Sequence, residues 1–295
     1  MVINSTHRQP LSIEHHDDDD DYNDEDEDND GDDGDDHDNY DNDDDRRKRR
    51  LECIICCSYF IVSFVVSYVI PWQVHERPIP VQLLPSSGDY ALHQVYNEPM
   101  KEETISITTL ILIGGVLPFI VQMILSSSKL FTKRSEQIHK RHQTLCVYLV
   151  SIATNTTVTE ALKLYCGSLR PIFYTICQPD DTYRTCTTTD TSELDDARKS
   201  FPSGHASQAW NGLFLLTLFM HHTWGIGNKK QGQFNAYASR GMSLVASLPM
   251  ILATWIAASR IRDNQHFAVD VVGGSILGAA IAHYVHNMWF NQIDE

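Results

Sequence analysis

The sequence predicts an all-α polytopic membrane protein with six transmembrane helices. Six apolar stretches follow one another after residue 50. Basic residues gather in alternate connecting segments. Nearly all of the net negative charge is confined to the N-terminal end. Of the formal net charge of −16, residues 1–50 account for −15, with 21 Asp and Glu against 6 Lys and Arg. The other 245 residues carry 18 acidic and 17 basic side chains. A nearly neutral body of this kind points to no nucleic-acid partner.

The elements follow in order. Residues 17–45 are almost all Asp, Asn, Glu, Gly and Tyr. They offer no apolar surface and repel one another, so residues 1–50 read as a disordered acidic tail, with divalent-ion or basic-partner binding as the alternative. The apolar stretches run over 51–72, 105–126, 143–165, 207–223, 241–258 and 267–287. A span needs roughly 20 helical residues. The third stretch is the most polar, with Thr154, Asn155, Thr156, Thr157, Thr159 and Glu160 inside it; in a spanning helix such residues face the bundle interior. The fourth is short unless its helix begins upstream. Pro118 and Pro249 are expected to kink the second and fifth helices, and Gly273, Gly274 and Gly278 to pack the last one closely. Cys53, Cys56 and Cys57 in the first span read as apolar packing residues, with S-acylation as the alternative. Cys177 and Cys186 share an outer loop where a disulfide is permitted. Asn4 and Asn155 open glycosylation patterns, and neither is expected to be modified.

Orientation follows from the basic residues. Arg46 through Arg50 abut the first span, Lys129, Lys133, Arg134, Lys140 and Arg141 precede the third, and Lys229 and Lys230 precede the fifth. Six spans place all three clusters in the cytosol, together with the tail and a short C-terminus at 288–295. The domain is then 51–287, and its loops 73–104, 166–206 and 259–266 lie on the opposite face.

Three motifs sit in or beside those loops: Lys163-x6-Arg170-Pro171, Pro202-Ser203-Gly204-His205, and Ser259-Arg260-x5-His266-x3-Asp270. His266 and Asp270 are four apart, so at the start of a helix they share a face. Asp270 would take the proton of one ring nitrogen and leave the other lone pair free to attack phosphorus. Lys163 and Arg170, two helical turns apart with Pro171 ending or bending the helix, join Arg260 in neutralising phosphoryl oxygens. Ser203 and Gly204 read as an anion cradle at a helix start. His205 would protonate the leaving group and then activate water. No carboxylate cluster suited to a two-metal site accompanies them, so neither a metal nor another cofactor is expected.

These residues closely resemble the signature of the type 2 phosphatidic acid phosphatase family, the lipid phosphate phosphatases. All three motifs are complete, and the resemblance extends over about residues 50–287. His75-Glu76-Arg77-Pro78-Ile79-Pro80 and the run from Phe201 to Ser207 share it. The resemblance implies a core like that of acid phosphatases and vanadium haloperoxidases. It also implies metal-independent hydrolysis of phosphatidate, lysophosphatidate, diacylglycerol pyrophosphate and sphingoid phosphates. The family roles fall on Lys163, Arg170, Ser203, Gly204 and Arg260 for phosphate, His205 as acid, His266 as nucleophile and Asp270 as its partner. Ser168 and Phe267 stand where many members have a basic residue and a second histidine. A polyprenyl-pyrophosphate or sugar-phosphate phosphatase and an inactive lipid-phosphate-binding scaffold are the alternatives. A homodimer is compatible with such a bundle. The membrane could be plasma membrane, endoplasmic reticulum or vacuole.

Overall fold

The computed structural model describes residues 43–83, 90–128, 134–226 and 236–290. The acidic tail up to residue 42, Asn4, Lys129, Lys133, Lys229, Lys230 and residues 291–295 lie outside the described residues.

Helix α1, Asp43–Val69, begins before the apolar stretch does. Asp43, Asp44 and Asp45 occupy its first turn, where negative charge complements the helix dipole. Lys48 Nζ then reaches Asp44 at 3.0 Å, one turn on. So the arginine-rich segment assigned to the tail is helical. α2, Ile107–Ser127, opens on Ser106, whose side chain accepts the Thr109 N–H. Its expected kink at Pro118 takes the form of a widened π turn over Ile111–Val116. Proline has no N–H for the carbonyl four residues back, and Tyr148 Oη donates to the nearby Gly115 carbonyl at 2.6 Å. α3, Arg134–Cys166, is the longest helix.

Short elements cap the far end of the bundle. The antiparallel strands β1, Val81–Leu83, and β2, Tyr90–Leu92, add a hairpin to the otherwise helical fold. α4, Phe173–Cys177, and α5, Thr191–Ala197, follow. Leu169, Phe173, Tyr174, Cys177 and Ala197 form a small core beneath Ile79, Leu92 and Tyr96. Cys177 and Cys186 are joined by a disulfide. Asp180 organises the turn inside that loop, accepting from the Arg184 and Thr185 amides and Thr182 Oγ1. Those bonds hold its carboxyl down to about 2.

α6, Gly204–Thr223, runs through the middle of the bundle. α2, α3, α7 (Ala236–Arg262) and α8 (Ala268–Phe290) pack around it. Gly274 and Gly278 let α8 approach closely, since a Cβ at either would fall 2.5 Å from the Ser203 carbonyl oxygen or 2.1 Å from that of Ser207. Several polar residues of α3 find partners in this arrangement. Asn155 Nδ2 donates to Gln208 Oε1 at 3.2 Å, and Thr159 Oγ1 meets Ser207 Oγ at 3.0 Å. Asn211 Nδ2 bonds Ser151 Oγ (2.9 Å) and the Gly278 carbonyl (3.3 Å). Ser63 Oγ of α1 bonds Thr157 at 2.8 Å. In a bilayer such bonds are worth about 0.6 kcal/mol each on average.

Among the described residues, five helices are long and apolar enough to cross a membrane: Asp43–Val69, Ile107–Ser127, Gln137–Cys166, Ala238–Arg262 and Ala268–Phe290. Six were expected. α6 is missing from this set because it carries His205, Gln208, Asn211, His221 and His222. A helix surrounded by other helices need not be apolar. The lipid-accessible faces are apolar instead, with Ile54, Ile61, Leu112, Leu244, Ile251 and Ile276 all exposed. The structure is thus a largely helical polytopic membrane protein.

Candidate active site

The ends of four helices meet on the capped side. α3 and α7 finish there, and α6 and α8 start there. At the opposite end Trp289 Nε1 of α8 donates to Glu52 of α1 at 2.7 Å.

Lys163 lies in the last turn of α3 and pairs with Glu160 at 2.7 Å. Arg170 is not on the same helix. α3 ends at Cys166 because Gly167 turns with φ +55, and a Cβ there would fall 1.9 Å from the His75 carbonyl oxygen. Glycine, rather than Pro171, therefore stops the helix. Past that turn, Arg170 Nη1 donates to Gln265 Oε1 (2.6 Å) and Nη2 to Asp196 Oδ1 (3.0 Å). Burial works against its charge and Asp196 supports it; a guanidinium stays protonated regardless. Arg260, 1 % exposed, donates to the Ile105 carbonyl (3.0 Å) and to Glu103 (2.8 Å). The Nε atoms of both arginines are buried without a hydrogen-bond partner, as is Nε2 of His205.

Pro202-Ser203-Gly204-His205 is the entry to α6. Ser203 is fully buried and caps the helix, its Oγ accepting the Ala206 N–H, while its own N–H donates to the Asp270 carbonyl at 3.0 Å. Its N–H is spent on the fold and its Oγ on the cap, so it shapes the cradle without facing the cavity. Gly204 does face it, where a Cβ would fall 2.9 Å from Lys163 Nζ.

His266 precedes α8, and Asp270 sits in that helix's first turn. The pair is therefore not stacked as two residues of one helix, and His266 Nδ1 lies 3.9 Å from Asp270 Oδ2. That is ion-pair range but too long for a hydrogen bond. Asp270 Oδ2 instead accepts the Phe267 N–H (3.0 Å) and the Ser200 hydroxyl (2.6 Å). Burial, followed by Arg170, Lys163, Arg260 and His205, holds the His266 imidazole well below its usual range. These influences favour the neutral ring over the imidazolium.

Lys163, Arg170, Gly204, His205, Arg260 and His266 all line one cavity of about 900 Å³. Its other walls mix apolar side chains, Phe60 and Phe64 of α1, Ile107, Leu110 and Val116 of α2 and Ile152 of α3, with polar ones that include Ser63, Asn155, Thr156, Thr159 and Gln208. Glu103, Asp196, Gln265 and Ser200 were not anticipated from the sequence. Gln265 stands immediately before His266, and Ser200 two residues before Pro202, which is the only signal they gave. The disulfide belongs to the cap and does not line the cavity. Among the described residues, no group of three or more His, Cys, Asp or Glu side chains is placed to hold a metal ion.

Residues 144–294 match the model of the PAP2 superfamily. The chain belongs to the PAP2 superfamily. Curated relatives agree. Lipid phosphate phosphatase 2 of Arabidopsis thaliana is 27% identical over 202 residues, covering 65% of this chain and 64% of that protein. Diacylglycerol pyrophosphate phosphatase 1 of Saccharomyces cerevisiae is 29% identical over 245 residues, 80% of this chain and 78% of the other. A putative phosphatidate phosphatase of Drosophila melanogaster is 25% identical over 244 residues, 68% and 62%. The chain thus spans under two thirds of the plant and fly proteins. No solved structure matches it. All three motifs of this PAP2 protein fall at the capped end.

Proposed function

We propose that this PAP2 protein hydrolyses lipid phosphate monoesters, phosphatidate to diacylglycerol and phosphate among them, through a phosphohistidine and without a metal. Lysophosphatidate and diacylglycerol pyrophosphate are further substrates on this reading. The cavity carries it: one end gathers three cations and two histidines, and the other is a greasy groove between α1, α2 and α3. An amphiphile with a phosphate head fits both ends, whereas a sugar phosphate leaves the apolar wall unused.

In the proposed cycle the His266 Nε2 lone pair forms a bond to phosphorus as the bond to the lipid oxygen breaks. The negative charge of the substrate phosphate favours protonated His205, which gives its proton to that oxygen. Water then attacks phosphorus, the N–P bond breaks, and His205 takes the water proton. Lys163, Arg170, Arg260 and the free N–H groups at the start of α6 hold the phosphoryl oxygens. Ser203 contributes by setting that start. Asp270 steadies the ring of His266.

On the same reading the core is like that of acid phosphatases and vanadium haloperoxidases, α6 is a sixth span, both termini are cytosolic and the site opens on the other side. The membrane is the plasma membrane, endoplasmic reticulum or vacuole.

The deciding experiment is phosphate release from phosphatidate in detergent micelles with excess chelator, comparing wild type with His266→Ala. Release by the wild type, reduced at least about 10³-fold in the variant, is expected. Equal release by both refutes the nucleophile assignment. No release by either, with turnover of a polyprenyl pyrophosphate, transfers the chemistry to that substrate.

A further inference from the structure

Ser200 stands between His266 and Asp270. Its Oγ lies 2.6 Å from Asp270 Oδ2 and 3.4 Å from His266 Nδ1, while the direct gap from ring to carboxylate is 3.9 Å. All three side chains are buried. A hydroxyl has one proton to donate and two lone pairs to accept with. An ionised carboxylate only accepts, so the short contact uses the serine proton. Toward His266 the hydroxyl then presents a lone pair, and the ring meets it by carrying its own proton on Nδ1. That leaves the Nε2 lone pair on the other side of the ring.

We propose that Ser200 is a positioning residue: a hydroxyl bridge that selects the reactive tautomer of His266 and connects Asp270 to it. This rests on the phosphohistidine reading above. As Nε2 bonds to phosphorus, positive charge develops on the ring and Nδ1–H becomes a stronger donor. The bridge passes that polarisation to the carboxylate, and every proton stays on its own atom. With the bridge removed, the ring is free to carry its proton on Nε2, where it blocks attack.

The backbone of Ser200 has a separate task, since its N–H donates to the Ser168 carbonyl at 2.8 Å. An alanine keeps that bond and removes only the bridge. Steady-state constants and inhibition by inorganic phosphate would be measured for wild type, Ser200→Ala, Ser200→Thr, Ser200→Val, Asp270→Asn and the Ser200→Ala/Asp270→Asn double variant, in detergent and with melting temperatures compared. Ser200→Ala is expected to lower kcat by about 10- to 100-fold, with KM and phosphate inhibition within about twofold of wild type. The double variant should be no more than about twofold slower than Asp270→Asn, because the hydroxyl acts through the carboxylate.

Wild-type kcat in Ser200→Ala overturns the proposal, since Asp270 would then close the gap unaided. Multiplied losses in the double variant overturn it too. Should the alanine variant not fold, the nearly isosteric pair decides: threonine well above valine in kcat supports the bridge, and equal rates refute it. His266→Ala separates the two levels of inference. Activity in that variant defeats the phosphohistidine reading itself, whereas an inactive His266→Ala beside a fully active Ser200→Ala defeats only the bridge.

Discussion

Gln265 and Glu103 decide how the two arginines are presented. Each holds one arm of a guanidinium, Gln265 on Arg170 at 2.6 Å and Glu103 on Arg260 at 2.8 Å, while both Nε atoms remain unpartnered. These cations also set the proton affinity of His266. Burial and nearby positive charge both disfavour the imidazolium, so its proton leaves at a lower pH than usual. The acid limb of kcat/KM belonging to His266 is therefore expected below about pH 6.5, the ordinary histidine value. Allowance is needed for the substrate phosphate's own ionisation near pH 6. Arg170→Gln removes one of the repelling charges, so the limb should move to higher pH while overall activity falls. A limb that stays in place or moves to lower pH in the variant contradicts this account of the site's electrostatics. At this scale the sequence was informative where spacing carries meaning. Lys163, Arg170, His205, Arg260 and His266 were singled out by motif, and the fold brings them to one cavity. Ser200, Glu103 and Asp196 were not, because their closeness arises only when separate segments close over the helix ends. The link between His266 and Asp270 was read as direct because both were placed on one helix, and that helix starts two residues too late.

Helix ends position the chemistry, and each end has a local cause. Gly167 stops α3 just after Lys163, which sends Arg170 around a corner rather than one more turn along the same face. Ser203 caps α6 and aims its N-terminus into the cavity. The α3 boundary was misjudged because proline was weighted over glycine. Along their middles, α1, α2 and α3 form the apolar groove, with Ile152 among its linings. Ile152→Trp should obstruct that groove without touching a charged group. It is expected to raise KM for long-chain phosphatidate about tenfold or more, while leaving turnover of a short-chain soluble phosphomonoester near wild type. Equal loss on both substrates would show that the groove does not house the acyl chains.

For the whole molecule, the alternation of helix ends puts the motifs and the arginine-rich start of α1 at opposite ends of the bundle. The motif end carries the hairpin and the disulfide, and Arg46 through Arg50 lie at the beginning of α1. With the proposed orientation, a membrane-impermeant thiol reagent should label Ser192→Cys only from the non-cytosolic side and Arg47→Cys only from the cytosol, in a background stripped of exposed native thiols. The reversed pattern inverts the topology. The order of the apolar stretches was legible over most of the chain because lipid selects for them residue by residue. The central helix was the faintest of them, because its neighbours are protein.

That central position bears on how the chain enters the bilayer. α6 pairs the side chains of Ser207, Gln208 and Asn211 with α3 and α8, Ser207 also bonding the Gly204 carbonyl within α6. As it leaves the ribosome, α3 has already been made and α8 has not. Taken alone, it is a poor candidate for partitioning into hydrocarbon. On the six-span reading, its insertion therefore waits on a segment synthesised later, and a nascent chain cut short before α8 should leave α6 outside the lipid or in the hands of a membrane chaperone.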